Sequence, residues 1–520
     1  MANPDVMRER RWLTLLVVCV SLMVIGLDNT ILNVAIPTLG RDLHATTSSL
    51  QWMVDSYTLV FAGLLLTAGS LGDRFGRYKA LTFGLVIFGI GSLASAFSGS
   101  AGALIATRAF MGIGGAFIMP ATLSVISNVF TEPAERSKAI GIWAGVSALG
   151  VGIGPLAGGF LLSHFFWGSV FLVNVPVVAI ALIGGWFFIP DSRDPSAPRL
   201  DVLGALLSIV GLAVFLWAVI EAPSHGWGSP EIVTAFVLGV GVLAGFAAWE
   251  LHTANPMLDM RYFRNPRFSA ASGAIAITFF TLFGTLFLMT QYLQSVLGYS
   301  TLKAGALLLP QAGVMMICAP LSTGFVRRFG NKMVVGVGLG IVSASLLLMT
   351  QLGVHDPMWH VIGITMVLGL GMSQVFAPAT DSIMGSLPKE KAGVGSAMND
   401  TTRQAGGAVG VAVLGSVLAS RFHHGVAHAT VLQHLPATAI RSDIGSALTY
   451  AHSAAAQPYA DVITQIARQS YVDAFHLAAL LGAGTMIVTA AAVVRWLPHR
   501  SAGVVVAPAP RPVEMAFDAV

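Results

Sequence analysis

Apolar residues run along this chain in stretches of about twenty, separated by short polar segments, over nearly its whole length. A helix rises about 1.5 Å per residue and needs about 20 such residues to cross a hydrocarbon core. Runs of this kind fall near residues 12–37, 50–72, 80–98, 102–123, 138–162, 167–189, 202–221, 232–250, 268–296, 304–326, 333–353, 358–380, 403–420 and 474–496. The pattern predicts an all-α membrane protein of 14 transmembrane helices, joined mostly by short connections. Arg8, Arg10 and Arg11 precede the first run, which is too long for a signal peptide and has no small-residue cleavage site after it, so it reads as span 1.

The basic residues give a direction. With the N-terminus cytoplasmic, 22 of the 28 Lys and Arg fall in cytoplasmic segments. Five (Arg41, Lys303, Arg421, Arg441 and Arg468) fall in external loops, and Arg108 falls inside a span. This is the asymmetry expected of loops that stay on the cytoplasmic side. An even number of spans then returns the C-terminus to the cytoplasm.

Two similarities recur at almost one offset. Arg74-Phe75-Gly76 returns as Arg328-Phe329-Gly330, and Pro133, Glu135 and Arg136 return as Pro388, Glu390 and Lys391. Both pairs match if spans 1–6 and 9–14 are equivalent halves and spans 7 and 8 are an insertion, an arrangement used by transporters. The expected organisation is a cytoplasmic N-terminus over 1–11, a six-helix bundle over 12–189, a two-helix insertion over 202–250 and a second six-helix bundle over 268–496. The last contains an external loop at 421–473, and a disordered cytoplasmic tail follows at 497–520.

Composition supports lipid as the solvent. Hydrophobic residues make up 55% of the chain and charged residues 10%, against roughly 25% charged in soluble domains. Mean hydropathy is +0.77. The pI of about 9.2 is mostly a topology signal, because net charge is only +4 and no basic run could track a phosphate backbone. No nucleic-acid partner and no obligate protein partner is expected. Cys19 and Cys318 lie far apart in apolar runs and read as small hydrophobes, not a disulfide or a metal site. His423, His424, His428, His434 and His452 share the 421–473 loop without a convincing third ligand, so they read as solvated. No nucleophile–base set, Walker loop or paired catalytic carboxylates occurs, so neither an enzyme nor a cofactor is expected.

Five further motifs carry chemistry. Gly69-Ser70-Leu71-Gly72-Asp73-Arg74-Phe75-Gly76-Arg77-Tyr78-Lys79 follows span 2, and its Asp73 adds nothing to the positive-inside bias. Arg108-Ala109-Phe110-Met111-Gly112-Ile113-Gly114-Gly115 lies in span 4. In span 5, Gly150, Gly154 and Gly158 share a helix face that lets another backbone come close, Pro155 removes a backbone hydrogen bond, and Gly159 extends the run. Leu27-Asp28-Asn29-Thr30-Ile31-Leu32-Asn33-Val34-Ala35-Ile36-Pro37 lies in span 1, and Ser396-Ala397-Met398-Asn399-Asp400-Thr401-Thr402-Arg403-Gln404 stands near span 13.

These motifs resemble the major facilitator superfamily over residues 12–500, and together its 14-helix drug:proton antiporter branch. Val54-Asp55-Ser56-Tyr57 is similar to exporters of quaternary ammonium compounds and cationic dyes. The resemblance implies an exporter driven by an ion gradient, with lipophilic small molecules and protons as its partners. It also implies an intracellular gate in which Gly69, Asp73, Arg74, Gly76 and Arg77 act with Arg136 and the helix start near Asp400. The second copy of the signature loop has Arg327 where the first has Asp73, so the gate is asymmetric.

Charges inside spans cost roughly 2.5–3.5 kcal/mol each at a helix centre and face a cavity or a partner. Asp28, Asp55 and Arg108 lie about 13, 8 and 9 Å inside the outer ends of their spans. Two acids and one base at similar depth leave one carboxylate free to take a proton or a cation, but not both. Burial favours the neutral acid and a nearby arginine favours the carboxylate, so conformation can tune the balance. Trp52, Tyr57 and Trp143 are candidate cavity aromatics for a cation. The expected function is proton-coupled efflux of lipophilic, mainly cationic compounds; the alternative is a dedicated exporter of one endogenous antibiotic, lipid or metabolite. The topology predicts that a cysteine at position 440 reacts with an impermeant thiol reagent from outside the cell; reaction only from the cytoplasm would reverse the orientation.

Overall fold

The computed structural model describes residues 4–45, 47–193, 201–254, 256–427, 443–453 and 459–497. His428, His434 and the residues after Leu497 lie outside them. Fourteen of its helices are long and apolar enough to cross a membrane, and no strand occurs among the described residues. In chain order the first half holds α1 (Pro4–Asp42), α2 (Thr47–Phe75), α3 (Arg77–Ala96), α4 (Ala101–Val129) and α5 (Pro133–His164). It closes with the short α6 (Ser169–Leu172) and α7 (Asn174–Phe188). The central pair is α8 (Val202–His225) and α9 (Pro230–His252). The second half holds α10 (Pro266–Gln291), α11 (Thr301–Phe329), α12 (Asn331–Met349), α13 (Met358–Met384) and α14 (Ala392–Ala427). After it come the short α15 (Ile444–Ala451) and α16 (Ala460–Trp496).

Local chemistry sets the helix starts. The side chains of Ser100, Ser229, Asn265 and Ser300 each accept a backbone N–H of the first turn. Proline occupies the first turn of α5, α9 and α10, where no backbone donor is needed. The joints after α2 and α11 are repeat mates: Gly76 at φ 118° and Gly330 at φ 79° adopt backbone that favours glycine.

Packing reproduces the repeat. In the first bundle α1 packs on α5, α2 and α3 on α4, and α3 on α7. In the second, α10 packs on α14, α11 and α12 on α13, and α12 on α16, the same pairings in the same order. The bundles meet along two seams, α5 on α11 and α2 on α14. The α8–α9 hairpin lies beside the second seam, with α8 against both α2 and α14.

Three expected boundaries change. The span placed at 403–420 begins at Ala392, so Arg403, counted above with the cytoplasmic segment, is eleven residues inside a helix. The expected loop at 421–473 is shortened from both sides, by α14 reaching Ala427 and α16 starting at Ala460. Between them α15 buries Ile444, Ala447 and Ala451. Span 6 is broken at Val173, three residues before Pro176, whose missing N–H cannot continue the α6 ladder.

The glycines of α5 serve two faces. Gly150, Gly154 and Gly158 sit against Gly26, Thr30 and Ile31 of α1, inside the first bundle. The seam with α11 uses a different set. A Cβ on Gly141 would lie 2.7 Å from Pro320 Cα, and one on Gly145 would lie 2.8 Å from Met316 Cα. Gly152 and Gly159 continue that line against Leu309 and Leu302, and Pro155 touches Gly305. Leucine at 141 or 145 should therefore cost roughly 1–3 kcal/mol through overpacking. That loss would appear as a lower unfolding temperature of the purified protein, whereas Gly313→Leu, which meets open space on α11, should leave it unchanged.

Candidate functional site

The first bundle buries an acid–base pair at its centre. Asp28 of α1 is 0% exposed and Arg108 of α4 is 1% exposed, and they form a short salt bridge between Nη1 and Oδ2. Further contacts surround the pair, although Tyr57 Oη and Asn174 Oδ1 make no hydrogen bond. Arg108 Nε donates to the Met53 carbonyl at 3.1 Å, and the guanidinium lies over the Tyr57 ring, 4.4 Å from its centroid. Asn174, the first residue of α7, donates through Nδ2 to Asp28 Oδ1 at 3.1 Å and to Ser92 Oγ at 3.0 Å. Ser92 in turn donates to the Phe171 carbonyl at 2.9 Å. Helices α1, α4 and α7 thus meet at one carboxylate, with α2 and α3 supporting its partners. The break at Val173 frees the start of α7 to turn Asn174 toward it. An uncharged residue in an apolar run gave no signal in the sequence.

Asp55 stands on a different face of α2 from the groups that meet Arg108. Met53 and Tyr57 face Arg108, and Asp55, two residues from either, lies on the other side of α2. Eleven residues separate Asp55 from Leu66, which puts them on one helix face. Leu66 shares an apolar cluster with Leu212, Val394 and Ala397, so Asp55, half-buried, is on the side of α2 that turns toward α14 and α8. Of the three aromatic candidates, Trp52 is half-buried, while Tyr57 and Trp143 are fully buried and already engaged. Tyr57 supports Arg108, and Trp143 stacks on Phe376 at 6.2 Å between centroids.

At one end of the molecule two acids hold the bundles together. Asp73 accepts from Arg77 Nε at 3.1 Å and Nη2 at 2.9 Å. It also accepts the backbone N–H groups of Gly393 at 2.8 Å and Val394 at 3.1 Å, at the start of α14. A carboxylate on a helix N-terminus gains from the helix dipole as well as from the bonds. Arg77 reaches the Glu390 carbonyl at 3.1 Å, and Gly69 leaves room for Gly393 and Ala397. Gly76 makes the joint beside them, and Arg74 lies over Phe75. Arg136 does not join Asp73, contrary to expectation. Its Nε donates to Asp381 at 3.3 Å, and Ser137 Oγ donates to the same carboxylate at 2.8 Å. Asp381 closes α13, so the acid absent from the second signature loop is supplied by another helix, and it holds the start of α5 through side chains where Asp73 holds the start of α14 through backbone N–H groups.

The second bundle holds another buried pair that the span boundary had hidden. Asp400 and Arg403 of α14 are 0% and 5% exposed, joined at 3.1 Å. Arg403 lies over Phe279, Phe376 and Trp143, at 4.5, 4.6 and 5.4 Å from their centroids.

Two linked six-helix bundles, charges matched in their interior and ion pairs closing one end describe a transport protein that spans the membrane. Residues 18–411 match the Major Facilitator Superfamily, and the chain belongs to that family of transporters. It is 33% identical to "Methyl viologen resistance protein SmvA" of Salmonella typhimurium, over 92% of this chain and 96% of that protein. It is 32% identical to "Multidrug resistance protein Stp" of Mycobacterium tuberculosis, over 95% and 93%. It is 36% identical to "Tetracenomycin C resistance and export protein" of Streptomyces glaucescens, over 80% and 77%. The solved proton:xylose symporter XylE shares the fold, with a TM-score of 0.60 at 13% identity over 94% of this chain and 96% of that one.

Both acids at the closed end are expected to matter to closure. In a background lacking Cys19 and Cys318, a cysteine at Ala397, buried behind Gly69, reports on it. Asp73→Asn and Asp381→Asn should each raise its labelling by a thiol reagent several-fold while slowing transport; parental labelling and rate in either variant would remove that acid from the gate.

Proposed function

We propose that this protein is a proton-coupled efflux transporter that exports lipophilic, mainly cationic compounds by alternating access. The observation that carries the reading is the fully buried Asp28–Arg108 pair with Asn174 beside it. A carboxylate held between an arginine and an amide can be neutralised by a proton when the helices around it shift. Losing the negative charge releases Arg108 from α1, which couples proton occupancy to helix packing. Gly26, Thr30 and Ile31, which flank Asp28 on α1, are the residues that Gly150, Gly154 and Gly158 touch. Proton binding at Asp28 and movement of α5 therefore act on one contact. Pro155 gives α5 a place to bend.

In this scheme Asp73, Arg77, Arg136 and Asp381 lock the cytoplasmic end, both termini are cytoplasmic, and the conformation described above is closed on that side. Asp55 turns toward the α2–α14 side and helps select cations. The membrane potential contributes about 2.3 kcal/mol per 100 mV for each net charge moved. Methyl viologen, in one relative's name, is an organic dication, which supports cationic cargo. A dedicated exporter of one antibiotic is favoured by other names, those of the tetracenomycin C protein and of "Puromycin resistance protein pur8" of Streptomyces alboniger.

Proteoliposomes with an imposed pH gradient test the proposal. Ethidium and methyl viologen should both be transported, and a neutral lipophile less well. Asp28→Asn should abolish gradient-driven export while the protein still folds. Asp55→Asn should weaken methyl viologen transport more than ethidium transport, because Asp28 remains. Normal gradient-driven export by Asp28→Asn, with selectivity unchanged in Asp55→Asn, would remove both assignments; transport of one antibiotic and no simple cation would favour the second reading.

A further inference from the structure

The motif Ser396–Gln404 has no part in the coupling scheme, yet it carries a base and an acid into the interior. Arg403 sits eleven residues past the start of α14, about 16 Å inward. Its guanidinium is flanked by three rings, with Phe376 between the other two: Phe279 is 5.2 Å from Phe376, and Phe376 is 6.2 Å from Trp143. Its Nη1 donates to Asp400 Oδ1, and its Nε makes no hydrogen bond. Asp400 Oδ1 also accepts from Asn399 Nδ2 at 3.3 Å, whereas Oδ2 makes no hydrogen bond of ordinary geometry, although Ser396 lies near it. The cation is therefore held by aromatic faces and one carboxylate, with part of the hydrogen-bonding capacity of both ions unused.

We propose that the rings of Trp143, Phe279 and Phe376, with the Asp400 carboxylate, form a binding site for an organic cation, and that Arg403 is a tethered cation occupying it while the end bearing the Asp73 latch is closed. Aromatic boxes recognise cations that donate no hydrogen bonds, such as quaternary ammonium groups, through the ring faces alone. A guanidinium that leaves its Nε unpaired uses the box in the same way. The walls of the box belong to both bundles. Trp143 is on α5, its indole donating to Thr122 of α4 at 3.1 Å, while Phe279, Phe376 and Arg403 are on α10, α13 and α14. Parting of the bundles at the latch carries Trp143 away and opens the box toward that end. An incoming cation then meets two rings and Asp400 in place of Arg403. When Trp143 returns, one carboxylate cannot serve two cations, and Arg403, fixed to the chain, displaces the free one. This site rests on the reading of the protein as a cation exporter and adds the step that expels the cargo.

Equilibrium dialysis of tetraphenylphosphonium with the purified full chain, beside its pH-gradient export from proteoliposomes, tests the site. Without the tethered competitor, Arg403→Gln should bind the probe roughly tenfold more tightly and export it more slowly. Arg403→Lys, which keeps the charge, should bind it as the parent does. Phe279→Leu leaves the ion pair in place and should weaken binding about fivefold. Unchanged or weaker binding by a folded Arg403→Gln overturns the proposal. So does unchanged affinity in Phe279→Leu, which decides the matter even if Arg403→Gln does not fold. Failure of the parent protein to export the probe refutes the cation-export reading, whereas the ratio of mutant to parent binding judges the aromatic site alone.

Discussion

An ionisable group far from water must be matched or neutral, and the first bundle is organised around one such match. Asp28 and Arg108 come from α1 and α4, and the groups that complete them come from α2, through the Met53 carbonyl and the Tyr57 ring, and from α7, through Asn174. Removing one partner of a buried pair strands the other, at a cost of about 3–5 kcal/mol. That penalty ties four segments to one ion pair. Much of the remaining interior of this bundle is apolar, and the proposed coupling places the proton at this pair for that reason.

The repeat supplies two equivalent seams, but the locks across them are not equivalent. Asp73 grips the start of α14 from α2, in its own seam. Arg327 stands at the mate of Asp73, so α11 cannot do the same for α5, and Asp381 at the end of α13 takes over through Arg136 and Ser137. One lock is made of backbone amides and a helix dipole, the other of side chains. The inserted α8–α9 hairpin adds to this asymmetry by lying against the α2–α14 seam and not against the α5–α11 seam.

Much of this was legible in the sequence because the bilayer imposes a length and a charge bias that survive without tertiary information. The fourteen spans and the paired loops at Gly76 and Gly330 follow from that and from the offset of the repeat. Asp28 and Arg108 stood out because charge is rare inside apolar runs. What escaped notice has physical causes. Ser396, Asn399 and Asp400 lower the local hydropathy, so the apolar run begins only at residue 403, whereas the helix begins at Ala392, supported by contacts from Asp73 and Gly69. Asn174 is uncharged, and its role depends on the break at Val173. The partner of Arg136 lies 245 residues away, beyond any local pattern. Only packing shows that the line Gly141, Gly145, Gly152 and Gly159, and not Gly150, Gly154 and Gly158, faces the other bundle.

Proton exchange at Asp28 is the centre of the proposed mechanism, and proton release on substrate binding measures it most directly. Tetraphenylphosphonium added to the purified protein in weakly buffered detergent solution should release protons in proportion to the cation bound, with release falling to background in Asp28→Asn although the cation still binds. Undiminished release from Asp28→Asn would contradict the central role given to the Asp28–Arg108 pair.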